Sequence, residues 1–152
     1  MSKDKTNNTI PNIKSNVVII GRPNVGKSTL FNRLTKTRKA IVHFTKGTTR
    51  DRLITKIATS NVTYNLVDTP GYIYIPKPSE TIASKSQGQI LQGLKTATII
   101  LFLLDIQTGI TNEDITISSL LRPMKEKVIL VANKADNSNY EMSKFDFLEL
   151  GF

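Results

Sequence analysis

Short apolar runs alternate along the chain with longer polar or amphipathic stretches. Val17-Val18-Ile19-Ile20 is an unbroken apolar run that ends at Gly21, the pattern of a strand covered on both faces. In the stretch Lys27 to Leu34, the residues Leu30, Phe31 and Leu34 fall at helical spacing. Thr35 to Arg52 has no periodicity and reads as a loop. Leu53 to Ala58 and Val62 to Val67 read as two strands, and the Thr59-Ser60-Asn61 break between them predicts an antiparallel hairpin. Tyr72 to Pro78, interrupted by Pro76 and Pro78, reads as a loop. Ser79 to Lys95 is weakly helical, with Ile82, Ile90, Leu91 and Leu94 as its apolar positions. Thr98 to Leu104 is a continuous apolar run bounded by Asp105. Asn112 to Leu121 predicts a helix stopped near Pro123, Val128 to Ala132 a last strand, and Tyr140 to Leu150 a last helix. Strands separated by helices imply right-handed crossovers with helices on both faces of one sheet. The predicted class is therefore α/β: three layers around a mostly parallel sheet with one antiparallel strand.

Composition narrows the class of partner more than the fold. A length of 152 residues suits one domain, and 39% hydrophobic with 22% charged residues is ordinary for a globular protein. The absence of cysteine excludes a disulfide scaffold or a thiolate metal site and suits a reducing cytoplasm. A formal charge of +9 favours polyanions (nucleotide, RNA, an acidic membrane surface), and a lysine-rich solvated surface accounts for it equally well. Part of the excess sits in residues 1–16, Lys/Asn-rich and nearly free of large apolar residues, which read as a disordered basic tail ahead of one domain over 17–152. That tail has no apolar segment of a secretory signal, and with Asp4 and no arginine it is unlike a transit peptide. The longest apolar run, Ala97 to Leu104, is too short to span a bilayer.

Three short motifs carry chemistry. Gly21-Arg22-Pro23-Asn24-Val25-Gly26-Lys27-Ser28 has two glycines, then Lys and Ser, at phosphate-loop spacing, with a strand before it and a helix after it. The glycines let successive N–H groups turn inward, and the helix that follows adds its positive end. Lys27 would reach the β- and γ-phosphates, Ser28 would ligate magnesium, and Pro23, Asn24, Val25 and Thr29 complete the candidate contacts. Asp68-Thr69-Pro70-Gly71 follows a strand. Asp68 at the strand end could hold magnesium through a water, and Gly71 would bring an N–H to the γ-phosphate. Asn133-Lys134-Ala135-Asp136 follows the last strand. The Asp136 carboxylate can accept from the N1–H and N2–H₂ edge of guanine, which adenine does not offer. Lys134 can lay its stem over the purine, and Asn133 can tie this loop to the phosphate loop. A turn is the plain alternative for each of the last two motifs taken alone; their order after the phosphate loop is what gives them weight.

Gly21 to Leu34, Gly47-Thr-Thr-Arg-Asp-Arg52, Leu66 to Gly71 and Val128 to Asp136 together resemble the translation-factor-related P-loop GTPases, most of all the first G domain of the Der (EngA) family of ribosome-assembly GTPases. The TrmE and Era families share several of these stretches. The resemblance implies binding of GTP and GDP, hydrolysis with magnesium, and the ribosome or ribosomal RNA as partner. It implies that Thr49, with Thr48 as runner-up, closes over magnesium and the γ-phosphate, so that Lys27, Thr49 and Gly71 form the catalytic set. It also implies potassium bound in part by Asn24.

Two departures bear on activity. Tyr72 stands where Ras-like enzymes carry a water-orienting Gln, which implies slow hydrolysis. The family's final guanine-contacting motif, last strand and last helix are not in these 152 residues, so the sequence reads as an incomplete G domain, a truncated gene product or a piece of a longer chain. The alternatives are a binding-only or inert remnant and a basic RNA-binding module; an ATP-using P-loop enzyme fits Asp136 poorly. The lone His43 reads as a solvated residue. The oligomeric state is not legible.

Overall fold

Apolar residues that alternate faces along two central strands build the sheet from the inside. In the computed structural model the described residues are 15–36, 40–41, 53–58, 63–69, 91–136, 140 and 143–152. The elements are β1 (Ser15–Ile20), α1 (Lys27–Lys36), β2 (Ala40–Ile41), β3 (Leu53–Ala58) and β4 (Thr63–Asp68), then a helical segment α2 over residues 91–95, β5 (Ile99–Asp105) and α3 (Asn112–Leu121). A 3-10 segment Arg122–Lys127, β6 (Val128–Asn133) and a second 3-10 segment Ser143–Leu150 follow.

The strand order is β2-β3-β4-β1-β5-β6. β1 pairs in parallel with both β4 and β5, and β5 in parallel with β6. β3 is antiparallel to both its neighbours, β2 and β4, and so is the one reversed strand. Val18 and Ile20 of β1 join Ile100, Phe102 and Leu104 of β5 on one face, where Ile117 and Leu121 of α3 cover them. Ile19 and Leu103 point to the other face and pack with Leu66, Ile57 and Phe31 of α1. Burial on both faces is what unbroken apolar strands require. The three-layer α/β class with one antiparallel strand is thus the observed one.

Three local readings need correction. β1 begins at Ser15, because Ser15 and Asn16 pair with Tyr64 and Asn65 by backbone bonds that their polar side chains do not announce. The stretch read as loop after α1 contains β2, which pairs Ala40 with Ile57. The expected last helix is 3-10 over Ser143–Leu150: Phe147 and Leu150, three residues apart, are buried while Leu148 is 58% exposed, a period of three rather than 3.6. By contrast α3 spans the predicted residues, closed by a capping box in which Thr111 and Asp114 satisfy each other's backbone N–H. It passes into the 3-10 segment at Pro123. Residues 1–14, 42–52 and 70–90 lie outside the described residues, and with them Thr48, Thr49, His43, Gly71, Tyr72 and most of the weak helix read at 79–95. Among the described residues no helix is long and apolar enough to cross a membrane.

Candidate functional site

The parallel strands β1, β4, β5 and β6 deliver their C-terminal ends to one edge of the sheet, where the loops after β1 and β6 meet the end of β4. A crevice at the carboxyl ends of strands is where such folds hold ligands.

The loop after β1 is shaped by its backbone. Asn24 has φ 64° and Gly26 has φ 98°, both left-handed. Asn is among the few side-chain-bearing residues that tolerate this region, and Gly26 has a second reason for lacking a side chain: a Cβ there would strike Asn133 Nδ2. Gly21 is packed too closely for any side chain, since a Cβ would come within 2.5 Å of the Leu103 carbonyl. Val25 is fully buried and anchors the loop in the core, while Asn24, Ser28 and Thr29 face outward and Pro23 is half-buried. The turn opens α1, with Leu30 N–H donating to the Gly26 carbonyl at 2.9 Å. The loop thus leads straight into the N-terminus of α1, whose first N–H groups have no partner within the helix and suit an anion.

Lys27 and Asp68 face one another across this loop. Lys27 is 6% exposed and donates Nζ to the Arg22 carbonyl at 2.8 Å. Burial lowers its proton affinity, Asp68 opposes that shift and Arg22 adds to it. Burial raises Asp68, against the bond from Ser28 and the charge of Lys27. Ser28 Oγ–H donates to Asp68 Oδ2 at 3.2 Å, while Asp68 Oδ1 is buried without a partner. A hydroxyl beside a carboxylate with one buried, unsatisfied oxygen is a hard-oxygen pair. It fits Mg²⁺, which takes one or two protein oxygens and keeps its other positions for water and phosphate.

The loop after β6 is held from three sides. Asn133 Nδ2–H donates to the Val25 carbonyl at 2.7 Å, joining this loop to the phosphate loop across 108 residues of sequence. Lys134 has φ 64° and donates to Asp105 Oδ2 at 2.6 Å. Gln107 Nε2–H donates to the Lys134 carbonyl at 3.0 Å and to Asp136 Oδ2 at 3.1 Å, and Asp136 itself is exposed. Burial alone would raise Asp105, but bonds from Lys134 and the Gln107 N–H outweigh it and hold the carboxyl below its usual range.

The structure therefore brings Gly21, Pro23, Asn24, Val25, Gly26, Lys27, Ser28, Thr29, Asp68, Asn133, Lys134 and Asp136 to one edge. Asp105, Gln107 and Arg22, which the motifs did not single out, brace them. Thr69 also belongs here: its hydroxyl donates to the Ile19 carbonyl at 2.6 Å and pins the residue after Asp68 to β1.

The model of a family described as 50S ribosome-binding GTPase matches residues 16–134. GTPase Der of Phocaeicola vulgatus is 43% identical over 135 residues, covering 89% of this chain and 30% of that protein. GTPase Der of Caldicellulosiruptor saccharolyticus is 39% identical over 139 residues, 91% of this chain and 31% of that protein. The chain thus spans about a third of the length of these curated relatives. Among solved structures, an Era variant from Aquifex aeolicus bound to GDP.AlF4− superposes with a TM-score of 0.67 at 32% identity, covering 88% of this chain and 46% of that one. Era in complex with MgGDPNP and a segment of 16S ribosomal RNA gives 0.68 at 34% identity, covering 89% and 46%. With the family model matching residues 16–134, well over half of the chain, and 43% identity to a GTPase Der over 89% of it, this chain belongs to the 50S ribosome-binding GTPase family.

Proposed function

We propose that this chain is a guanine-nucleotide-binding switch domain that hydrolyses GTP to GDP and phosphate with magnesium. The observation that carries the reading is the bond from Asn133 to the Val25 carbonyl. It fixes the guanine-selective Asp136 and the phosphate loop at one spacing, as a ligand with a base at one end and phosphates at the other would need.

In this reading the N–H groups around Gly26 and the Lys27 ammonium hold the β- and γ-phosphates. Lys27 keeps its bond to the Arg22 carbonyl and turns its remaining ammonium N–H groups to phosphate oxygens, and the anion relieves the desolvation that now lowers its proton affinity. Ser28 and Asp68 would hold the magnesium ion, which would supply positive charge to the leaving phosphate oxygens. Asp136 releases Gln107 to accept the guanine edge, and Lys134 covers the purine face. Thr49 and Gly71 position the attacking water and close over the γ-phosphate, and Asn24 takes part in binding potassium. The complex of Era with a segment of 16S ribosomal RNA supports ribosomal RNA as partner here, and the charge of +9 is of the right sign.

The test is a titration of the purified chain with fluorescent GDP in magnesium buffer, competed by GDP and by ADP. Displacement by GDP alone is expected; equal displacement by ADP defeats the base assignment. Binding without turnover is the second reading, favoured by Tyr72 in place of a water-orienting Gln. Single-turnover hydrolysis with potassium and with sodium separates the two.

A further inference from the structure

Four charged side chains from four parts of the chain, Asp114, Arg22, Asp105 and Lys134, form a continuous line that links α3 to two of the motifs. Asp114, the third residue of α3, has a fully buried side chain. Its Oδ2 accepts from the Thr111 N–H at 3.0 Å, from Thr111 Oγ1 at 2.8 Å and from Arg22 Nε at 3.3 Å. Arg22 Nη2 lies 3.9 Å from Asp105 Oδ2, and that oxygen takes the Lys134 ammonium. The carbonyl of Arg22 meanwhile accepts from Lys27. One residue thus has its side chain tethered by α3 and its carbonyl on Lys27.

Helix capping does not account for this arrangement. A cap works at the surface, and Glu113 already places a negative charge in the first turn of α3. Complete burial of a carboxylate is costly, and its Oδ1 and the Arg22 Nη2 both remain without hydrogen-bond partners. Stability alone does not call for such a pair; fixed geometry does. Through Arg22 the geometry fixed is that of the phosphate loop, and through Asp105 it is that of Lys134.

We propose that Asp114 is a positioning residue for the nucleotide site: it anchors Arg22, whose carbonyl orients Lys27, and through Asp105 the same anchor steadies Lys134. The functional consequence rests on the nucleotide-binding reading above; the geometric one does not. α3 is then coupled mechanically to both ends of the site.

Three single variants and one double variant test this. Asp114→Asn keeps an acceptor for Thr111 but removes the charge that holds Arg22. Arg22→Gln removes the other partner. Thr111→Ala removes the cap and one of the three donors to Asp114 Oδ2, but leaves the carboxylate charge, the Thr111 N–H bond and Arg22 in place. Asp114→Asn and Arg22→Gln are each expected to lower the single-turnover hydrolysis rate roughly tenfold to a hundredfold, as sub-ångström misplacement of a phosphate ligand does. The double variant should be no slower than Arg22→Gln. Thr111→Ala should lower the melting temperature while changing GDP affinity and rate far less than Asp114→Asn does, because the charge that holds Arg22 remains. In the ligand-free chain, amide hydrogen exchange over residues 21–30 should quicken more in Asp114→Asn and Arg22→Gln than in Thr111→Ala.

Additive losses in the double variant, or an equal loss in Thr111→Ala, would overturn the proposal. So would unchanged exchange in Asp114→Asn. If Asp114→Asn does not fold, Arg22→Gln against Thr111→Ala decides by the same readouts. If the wild-type chain binds no GDP, the functional reading fails while the exchange comparison still decides the positioning role.

Discussion

The two ends of the site are built by different means. The phosphate end is a matter of backbone and burial: left-handed Asn24 and Gly26, a buried Val25, and the charged pair Lys27 and Asp68 held out of water. The base end is a matter of side-chain braces on an exposed loop: Gln107 on Asp136, Asp105 on Lys134, and Asn133 reaching across to Val25. Steric exclusion and desolvation are steep functions of position, whereas surface hydrogen bonds each contribute little and share the load. The phosphate end should therefore fail abruptly under substitution and the base end by degrees.

Gly26→Ala should show the abrupt failure. The added methyl must occupy the place of Asn133 Nδ2 at a φ of 98°, so both the loop and its tie to β6 give way. Loss of measurable fluorescent-GDP binding is expected, together with destabilisation of about 1–3 kcal/mol from the strained backbone, read by denaturant unfolding. Binding within tenfold of wild type would show that the loop is more plastic than its geometry says.

Lys27→Met separates function from stability at the same end. Because the folded chain holds the Lys27 proton less tightly than the unfolded chain, the buried charge costs stability near neutral pH. That cost lifts as pH rises through the lowered folded value toward the ordinary lysine value of 10.5. The variant should lose phosphate binding, on the order of a hundredfold or more by loss of a buried charged partner. Its ligand-free melting temperature at pH 7 should not fall, and any margin over wild type should shrink in melts taken at progressively higher pH. A ligand-free variant clearly less stable than wild type at pH 7 contradicts the sign of this argument.

The same contrast decides what could be read from the sequence. The phosphate end was legible because steric demands restrict residue types locally: glycine where φ is positive or space is absent, lysine and serine at the helix that follows. The sheet was legible because strands buried on both faces leave no polar break. β2 was not, since two residues paired only through backbone to β3 carry no pattern. The last helix was misread because Phe147 and Leu150 fit a short 3-10 period as well as an α-helical one. At the base end Asn133, Lys134 and Asp136 stood out as a motif, but Asp105 looked like any polar residue closing a strand. Arg22 and Asp114 are 92 positions apart, so their pairing exists only in the fold. A signal for Asp114 was nonetheless present, because Thr111 and Asp114 three residues apart before an apolar run form a capping pattern.

At the base end, Asp136→Asn should change preference more than total affinity. A carboxamide keeps one acceptor but turns a donor toward the base, which mismatches the guanine N–H pair and suits the C2 carbonyl of xanthine. GDP affinity should fall roughly tenfold to a hundredfold while xanthosine diphosphate gains, read by competition against the fluorescent probe. Equal losses for both bases would mean that Asp136 shapes the loop rather than reads the base.

Gln107→Ala should have the smallest effect and is the sharpest probe of the graded end. It removes the bonds to the Lys134 carbonyl and to Asp136, both on exposed groups that water can replace. Two opposing changes follow. Asp136 no longer has to give up an internal partner before it accepts guanine, and the loop that presents it is less well ordered. The bond to the Lys134 carbonyl is neutral and the one to the Asp136 carboxylate is open to water, so the net loss is about 1 kcal/mol and GDP affinity should change by about fivefold or less. The direction identifies which change dominates: weaker binding with faster exchange at residues 133–136 marks Gln107 as a brace, and tighter binding marks it as a competitor for Asp136. A collapse of binding as complete as that expected of Gly26→Ala would erase the distinction between the two ends.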